Sequence, residues 1–270
     1  MRVTLESSAL LGPPSGMRTY NLELLRQLCA QNPQDLYRLY ATRFREPFPP
    51  TSEIWPGTPP ANLAFELRRF PFAPTLRLEH GLGLRVQERG LPPADVFHGT
   101  AQFLPRLSRT PSVLTLHHWG DWSHRASGWD RFYYDTVVRQ SVEWADRIIA
   151  VSEFTRRHYV ERLKVPEDKV RVVSHGVFDP LPSPDAAQIA ALRAKYGLPP
   201  RFALCLSRLN PGKNVVTLVR AFAALARRHD GLGRVLVGLA DEAYLPAVRA
   251  AVTRPRRASR GPTGSWPRRP

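Results

Sequence analysis

Three residues, His117, Ser152 and Gly16, lie at the end of an apolar run or of a loop, and their residue types are suited to ligand binding. His117 follows the run Ser112–Leu116, and Ser152 follows Ile148–Val151. Gly16 closes a turn-rich loop before a stretch of helical spacing. A glycine lets backbone N–H groups approach a phosphate or sugar, a serine can cap a helix, and an imidazole can hydrogen-bond a ligand. Taken singly, each residue fits an ordinary turn, a helix cap or a structural histidine equally well.

The clearest structural pattern lies in Arg147–Phe178, which predicts a strand, a helix and a second strand. Ile148–Val151 is apolar and β-branched, as in a strand that is buried on both faces. Ser152 favours a helix over Glu153–Leu163, and Val170–Val173 predicts the next strand. Such crossovers build open parallel sheets, which bind ligands at the carboxyl ends of their strands, where helix N-termini favour anions.

Similar patterns recur on both sides of this segment. Strands are expected at Val3–Leu5, Leu36–Ala41, Leu63–Leu67, Ala94–Gly99, Ser112–Leu116, Phe202–Ser207 and Arg234–Val237, and helices at Met17–Ala30, Arg131–Ala145, Asp185–Tyr196, Val215–Arg228 and Glu242–Ala251. The proline-rich stretch Pro47–Pro60 predicts a loop, and Asp179–Pro184 predicts an interdomain linker. Strands that alternate with helices indicate an α/β protein.

The amino-acid sequences of several segments are similar to those of one known family. The similarity lies in ADRIIAVSEFTRR at 145–157, VPEDKVRVVSHGV at 165–177 and ADVFHG at 94–99. These segments resemble the first domain of GT-B glycosyltransferases of family 4, and the resemblance covers about residues 1–253. It implies two Rossmann-like domains: an N-terminal acceptor-side domain over 1–178, and an incomplete donor-binding domain over 179–253.

In the first domain, the resemblance implies roles for two residues. His117 matches the strand-end histidine that hydrogen-bonds the donor sugar near the reaction centre. The family usually places Asp after it, whereas this chain has His118. Gly16 stands at the family's first loop, where a glycine pair is usual, and we interpret it with Ser152 as substrate-binding.

In the second domain, the segment Arg208–Asn214 resembles the family's first donor-site motif. The resemblance assigns Arg208 and Lys213 to the diphosphate, and it places Asn214 at the opening of the next helix as a substrate-binding residue. A guanidinium, an ammonium and a helix N-terminus can stabilise the charge on a departing nucleoside diphosphate without a metal. We therefore expect a nucleotide sugar as donor substrate, and neither a cofactor nor a metal ion.

Composition and charge argue against several other classes of protein. The net charge is +16, yet the last 17 residues hold six Arg and no acid, so nucleic-acid binding has little support. The chain shows neither an N-terminal leader nor a run of 18 apolar residues, so we expect a cytoplasmic protein. Cys29 and Cys205 are lone residues, which we interpret as buried thiols in a reducing compartment.

Residues 67–90 mix arginines with apolar side chains. Such a basic, amphipathic segment could contact an anionic membrane surface, at the inner face, and meet a lipid-linked acceptor there. It could equally be a helix that packs on the sheet and turns a basic face to water. Both interpretations stay open at this point.

The α/β pattern stops near Ala251, and residues 254–270 are rich in Arg and Pro, a composition that predicts disorder. The strand–loop–helix with two Glu that the family carries in its donor domain does not occur in 179–253. We therefore expect a frameshift near codons 250–256, which translation of the downstream DNA in the other two frames would reveal.

The resemblance implies a retaining glycosyltransferase that moves a hexose, with mannose among the candidates, from a nucleotide sugar to a glycan or lipid-linked hydroxyl. The alternative from another class is a catalytically dead remnant or a sugar- or nucleotide-binding module, because the donor domain is incomplete. A protein that binds nucleic acid through its Arg tail is a third and weaker hypothesis.

Overall fold

The computed structural model describes residues 1–117, 128–177, 183–226, 228–229 and 231–253. The chain divides into two compact units, Met1–Val177 and Phe178–Pro270. The sequence also predicts a polar loop over Gly120–Gly128. All of this loop except Gly128 lies outside the described residues, as do His118, most of the linker at 179–184 and the tail at 254–270.

A seven-stranded parallel sheet organises the first unit, in the order β3-β2-β1-β4-β5-β6-β7. Its strands are β1 Arg2–Glu6, β2 Leu36–Arg43, β3 Leu63–Arg69, β4 Val96–Gly99, β5 Ser112–Leu116, β6 Arg147–Ala150 and β7 Val170–Val172. The order reverses at β1, which pairs with β2 on one side and β4 on the other. This is the doubly wound topology, and the reversal marks the edge at which such sheets bind ligands.

The described helices of the first unit occupy the crossovers between these strands. They are α1 Gly16–Gln31, α2 Thr51–Ile54, α3 Phe72–Leu76, α4 Gly128–Arg131, α5 Arg139–Trp144 and α6 Glu153–Leu163, with π-helical turns at Arg77–Gly81 and Phe132–Val138. Ser15 caps α1 and Ser152 caps α6, each through a hydroxyl that accepts a backbone N–H. The predicted cap and bounds of α6 are therefore confirmed.

Apolar side chains from the strands form the core of the first unit. Leu114, Leu116 and Ile148 are fully buried in one cluster with Tyr159 of α6. A second cluster joins β1 and β2 to Leu25 of α1. The sheet is covered by these helices, as a parallel sheet requires.

The second unit is smaller in its described part. It contains α7 Ala186–Tyr196, β8 Arg201–Leu206, α8 Val215–Ala226, β9 Leu232–Val237 and α9 Leu245–Thr253. The strands β8 and β9 are parallel, and a small cluster with Val215, Val219 and Val248 packs α8 against α9. The helix predicted over Asp185–Tyr196 is present, with Asp185 as its N-cap and Gly197 as its C-cap.

Three sequence predictions need correction. Pro47–Pro60 is not entirely loop, because it contains the short helix α2. Residues 67–90 do not form one amphipathic helix, since β3 runs to Arg69 and short helical turns follow. Cys29 is buried as expected, whereas Cys205 is only half-buried, because β8 has little covering it.

Candidate functional site

The candidate site of the first unit lies at the carboxyl ends of the central strands. β1 ends at Glu6, β4 at Gly99 and β5 at Leu116, so the residues that follow them share one edge of the sheet. This edge contains the point where the strand order reverses. Ligands of open α/β sheets bind at such a point.

His117 follows β5 and is anchored to the end of β4. Its Nε2 lies 2.7 Å from the carbonyl oxygen of Thr100. The Thr100 hydroxyl is in turn within hydrogen-bond distance of the carbonyl oxygen of Glu6 and of Asn21 Oδ1, the latter at 2.8 Å. The structure therefore ties β1, β4, β5 and α1 together around His117.

An aromatic residue of α1 covers this anchor. The ring of Tyr20 meets the His117 ring edge-on, with centroids 4.6 Å apart. The Tyr20 hydroxyl lies 3.3 Å from Thr115 Oγ1, and Thr115 Oγ1 lies 2.7 Å from His98 Nε2. His98 is buried, and burial, aided by the neighbouring His117, lowers the pKa of His98 to about 4. His98 is thus a neutral structural residue beneath the site.

A second histidine reaches His117 from the end of β7. His175 Nε2 lies 3.2 Å from His117 Nδ1, and the His175 ring lies 5.0 Å from the Tyr20 ring. The sequence motif His175–Gly176 marks a strand end, but its spacing does not show that His175 meets His117. Tyr20, Thr100 and His175 are the site residues that sequence reasoning missed.

Glu6 places a carboxyl group at the same edge of the sheet. It is buried, and desolvation raises the pKa of this carboxyl. Its Oε1 accepts the backbone N–H of Ser8 at 2.9 Å. This bond stabilises the turn that follows β1, so Glu6 has a structural role at this edge of the sheet.

Gly16 and Ser152 begin the helices α1 and α6. Apart from its chain neighbours and its own helix backbone, a Cβ on Gly16 would meet no atom of the described residues within 4 Å, so their packing does not require glycine there. Ser152 Oγ accepts the backbone N–H of Thr155 at 3.1 Å and lies 3.0 Å from the Thr155 hydroxyl. The hydroxyl of Ser152 therefore serves its own helix.

The other three predicted residues lie in the second unit. Arg208 follows β8, and both Arg208 and Lys213 are exposed. The Asn210 side chain accepts the backbone N–H of Lys213 at 3.1 Å, and Asn214, with φ of 49°, leads directly into α8. The loop from Arg208 to Asn214 thus carries two exposed cations and leads into a twelve-residue helix.

Three of the six predicted residues, Gly16, His117 and Ser152, lie in the first unit, and the other three lie in the second. His117 lies in the cluster with Tyr20 and His175, and Arg208 lies in the other unit with Lys213 and Asn214. Among the described residues, no group of three or more His, Cys, Asp or Glu side chains is arranged to hold a metal ion.

The fold and this strand-end site define a Rossmann-like α/β protein of the type found in GT-B glycosyltransferases. A family model described as Glycosyltransferase Family 4 matches residues 14–178. The chain belongs to glycosyltransferase family 4.

Two curated relatives are mannosyltransferases. The GDP-mannose-dependent alpha-(1-6)-phosphatidylinositol monomannoside mannosyltransferase of Mycobacterium tuberculosis is 36% identical over 104 residues, which cover 38% of this chain and 27% of the relative. The serotype-specific mannosyltransferase WbdA of Escherichia coli is 33% identical over 96 residues, which cover 35% of this chain and 12% of WbdA. The matched part thus spans about a quarter of the mycobacterial relative's length and less of WbdA.

Solved structures share the fold at low sequence identity. HepE from Anabaena, crystallised with UDP and glucose, superposes with a TM-score of 0.57 at 17% identity, over 93% of this chain and 64% of HepE. A glycosyltransferase from Rickettsia africae gives a TM-score of 0.57 at 17% identity, over 93% of this chain and 63% of that protein. The predicted α/β, Rossmann-like fold of GT-B type is confirmed.

Proposed function

We propose that the protein is a retaining glycosyltransferase that transfers a hexose, with mannose the first candidate, from a nucleotide sugar to a hydroxyl of a glycan or lipid-linked acceptor. The observation that carries this proposal is the anchored His117 at the carboxyl edge of a family 4 sheet. GDP-mannose is the donor to test, because a mycobacterial relative is named for its dependence on it.

The proposed reaction breaks the bond between the anomeric carbon and the diphosphate oxygen. A new bond forms between that carbon and the acceptor oxygen. The diphosphate oxygen leaves with the electron pair of the broken bond and takes the proton of the acceptor hydroxyl. His117 hydrogen-bonds the sugar. Arg208 and Lys213, beside the N-terminus of α8, stabilise the charge on the leaving diphosphate, as positioned cations and helix N-termini do.

We further propose a cytoplasmic location with peripheral contact to anionic lipid through residues 67–90. The exposed apolar side chains of this segment include Leu78, Leu82 and Leu84, and Leu82 is 70% exposed. Arg77 and Arg85 flank these leucines in the sequence and are also exposed. Within the described residues, no helix is both long and apolar enough to cross a bilayer.

Vesicle sedimentation tests the membrane contact. The protein should bind phosphatidylglycerol vesicles and not phosphatidylcholine vesicles, and Leu82→Ser should weaken binding by about tenfold through lost apolar burial. Leu192→Ser, at an exposed leucine of the second unit, is the matched control. Equal binding by the two variants would contradict this contact.

A second candidate function is a nucleotide- or sugar-binding module without catalysis. It is favoured by the sheet of the second unit, where Leu204 and Leu206 of β8 are exposed. In such a donor domain, the strand that precedes the phosphate-binding loop is poorly covered by other side chains. Binding of a nucleoside diphosphate without transfer would select this candidate.

Transfer of labelled mannose from GDP-mannose to a lipid-linked mannoside tests the main proposal. His117→Ala should reduce turnover by at least roughly a hundredfold, which is typical for loss of a positioned polar contact. His229→Ala, at an exposed histidine of the second unit, should leave turnover unchanged. Full turnover in His117→Ala would remove His117 from the reaction centre.

Calorimetry with GDP tests the phosphate loop separately from turnover. Arg208→Ala with Lys213→Ala should lower the affinity by roughly a hundredfold, because two charge-assisted hydrogen bonds are lost. Arg201→Ala is the matched control, since Arg201 is an exposed arginine at the opposite end of β8. Equal GDP affinity in all three proteins would place the phosphates elsewhere.

A further inference from the structure

The hydrogen bond between His117 and Thr100 decides which nitrogen of the His117 ring carries the proton. The partner of His117 Nε2 is the carbonyl oxygen of Thr100, at 2.7 Å. A carbonyl oxygen only accepts hydrogen bonds, so Nε2 must be the donor. In the neutral imidazole, Nδ1 is then unprotonated and presents a lone pair.

The partner of that lone pair is His175. His175 Nε2 lies 3.2 Å from His117 Nδ1, so in the neutral pair His175 carries its proton on Nε2 and donates it. Tyr20 contacts both rings, with centroids 4.6 Å from His117 and 5.0 Å from His175. One side chain from α1 therefore supports the contact between two strand ends.

We propose that His175 is a positioning residue for His117. The Thr100 carbonyl fixes the tautomer, and Nδ1 of the same ring lies within hydrogen-bond distance of His175. Before a ligand binds, the Nε2–H of His175 anchors Nδ1 and so fixes the direction of the lone pair that the ligand will meet. This inference rests on the proposed function only where it concerns the sugar, because the hydrogen bonds belong to the protein alone.

The arrangement also limits what His117 can recognise. The bond to Thr100 is short and part-buried, whereas the bond to His175 is long and exposed, so the second is the one that a ligand can replace. A group that takes over Nδ1 from His175 must donate a hydrogen bond, as a sugar hydroxyl does. An ionised phosphate oxygen cannot do so. His117 is therefore suited to the sugar rather than to the diphosphate.

Nitrogen NMR of the full chain with ¹⁵N-labelled histidine tests the proposal at pH about 8, where an ordinary histidine is neutral. The chain contains eight histidines, and His117→Ala assigns the resonances of His117. Nε2 of His117 should be protonated and Nδ1 should be an unprotonated acceptor. A protonated Nδ1 would overturn the proposal.

Three variants separate the hydrogen bond from packing. His175→Phe keeps an aromatic ring beside Tyr20 but has no donor, so the Nδ1 resonance of His117 should move. His175→Gln restores an N–H donor and should return that resonance most of the way. His229→Phe, at an exposed histidine of the second unit, should have no effect. An unchanged Nδ1 resonance in His175→Phe would also overturn the proposal.

Addition of GDP-mannose separates this inference from the proposed function. If the positioning role and the proposed function both hold, the nucleotide sugar should shift the Nδ1 resonance of His117 without protonating that nitrogen. It should also change the Nε2 resonance of His175. If the variants behave as expected but GDP-mannose leaves both histidines unchanged, the positioning role stands and the proposed function loses its support.

Discussion

The two units are built from the same strand–helix pattern, yet their sheets differ in how well they are covered. In the first unit, Leu114 and Leu116 of β5 are fully buried. In the second unit, Leu204 and Leu206 of β8 are 60% and 76% exposed. Parallel sheets normally bury both faces, so the described part of the second unit leaves apolar surface uncovered.

This difference bears on how each unit holds its candidate residues. His117 stands on a buried strand and is fixed by Thr100 and covered by Tyr20. Arg208 and Lys213 are exposed, and their loop is shaped by local features such as the Asn210 side-chain bond to Lys213. The first unit positions its site through the core, whereas the second relies on turns and helix caps.

The sharpest test of the comparison is one substitution made in both sheets. Leu114→Ala should lower the free energy of unfolding by about 3–5 kcal/mol, because it removes buried methyl groups and leaves a cavity. Leu206→Ala should change it by less than about 0.5 kcal/mol, as exposed substitutions usually do. Urea unfolding followed by Trp fluorescence and by circular dichroism would measure both. A large loss in Leu206→Ala would mean that β8 is covered in solution.

Acid should destabilise the first unit more than the second. Burial lowers the pKa of His98 from 6.5 to about 4, so below about pH 6.5 the unfolded chain binds a proton that the native state does not. The contribution of neutral His98 to the free energy of unfolding is fully present above pH 6.5. It is lost as the pH falls towards 4, which lowers the free energy of unfolding by about 3 kcal/mol. Burial also lowers the pKa of His80 to about 4, which adds to the same trend, whereas the raised pKa of the buried Glu6 carboxyl acts against it.

The measurement is the free energy of unfolding between pH 7 and pH 4, followed by Trp fluorescence. Trp55 and Trp144 lie in the first unit, and residues 183–253 contain no tryptophan. His98→Gln should flatten the acid slope, because it can still hydrogen-bond Thr115 but does not titrate. The same slope in His98→Gln and in the wild type would show that His98 is not responsible.

Local patterns in the sequence were sufficient for most elements. The predicted bounds of β5 and α6 match the structure, because an apolar run sets the strand and Ser152 caps the helix. The Asp185 cap and the Gly197 end of α7 are also local signals. The family resemblance then supplied the fold class, which the comparisons confirm.

The rest depends on contacts between distant parts of the chain. Tyr20, Thr100, His117 and His175 meet only because β4, β5 and β7 share a sheet edge that α1 covers. No spacing in the sequence encodes that meeting. Cys205 was expected to be buried because its strand is apolar, but burial depends on what packs against the strand. The same reason explains the exposed leucines of β8.

Backbone strain offers a test inside the second unit. Gly238 has φ of +149°, and a Cβ there would lie 1.9 Å from the Ser207 carbonyl oxygen. Gly238→Ala should therefore cost about 1–3 kcal/mol and displace the end of β8, with a loss of GDP affinity at the adjoining Arg208. Gly231→Ala is the control, because Gly231 has φ of +74° but a Cβ there would meet no atom within 4 Å among the described residues, its chain neighbours aside. Equal effects on GDP affinity would mean that the turn does not position Arg208.

The last prediction concerns Gly16 in the first unit, where no loss of stability is expected. Gly16 begins α1, its φ is ordinary, and a Cβ would meet no atom within 4 Å in the described part of the chain beyond its neighbours and its own helix. Gly16→Ala should therefore leave the unfolding free energy unchanged or raise it by up to about 1 kcal/mol, since alanine favours helix. If the backbone at Gly16 approaches a ligand, affinity for the sugar substrates should nevertheless fall. The contrast is Gly99→Ala, whose Cβ would lie 2.2 Å from the Phe103 carbonyl oxygen, so stability itself should drop. Unchanged affinity in a stable Gly16→Ala protein would show that glycine is not needed at this helix start and would remove Gly16 from the site.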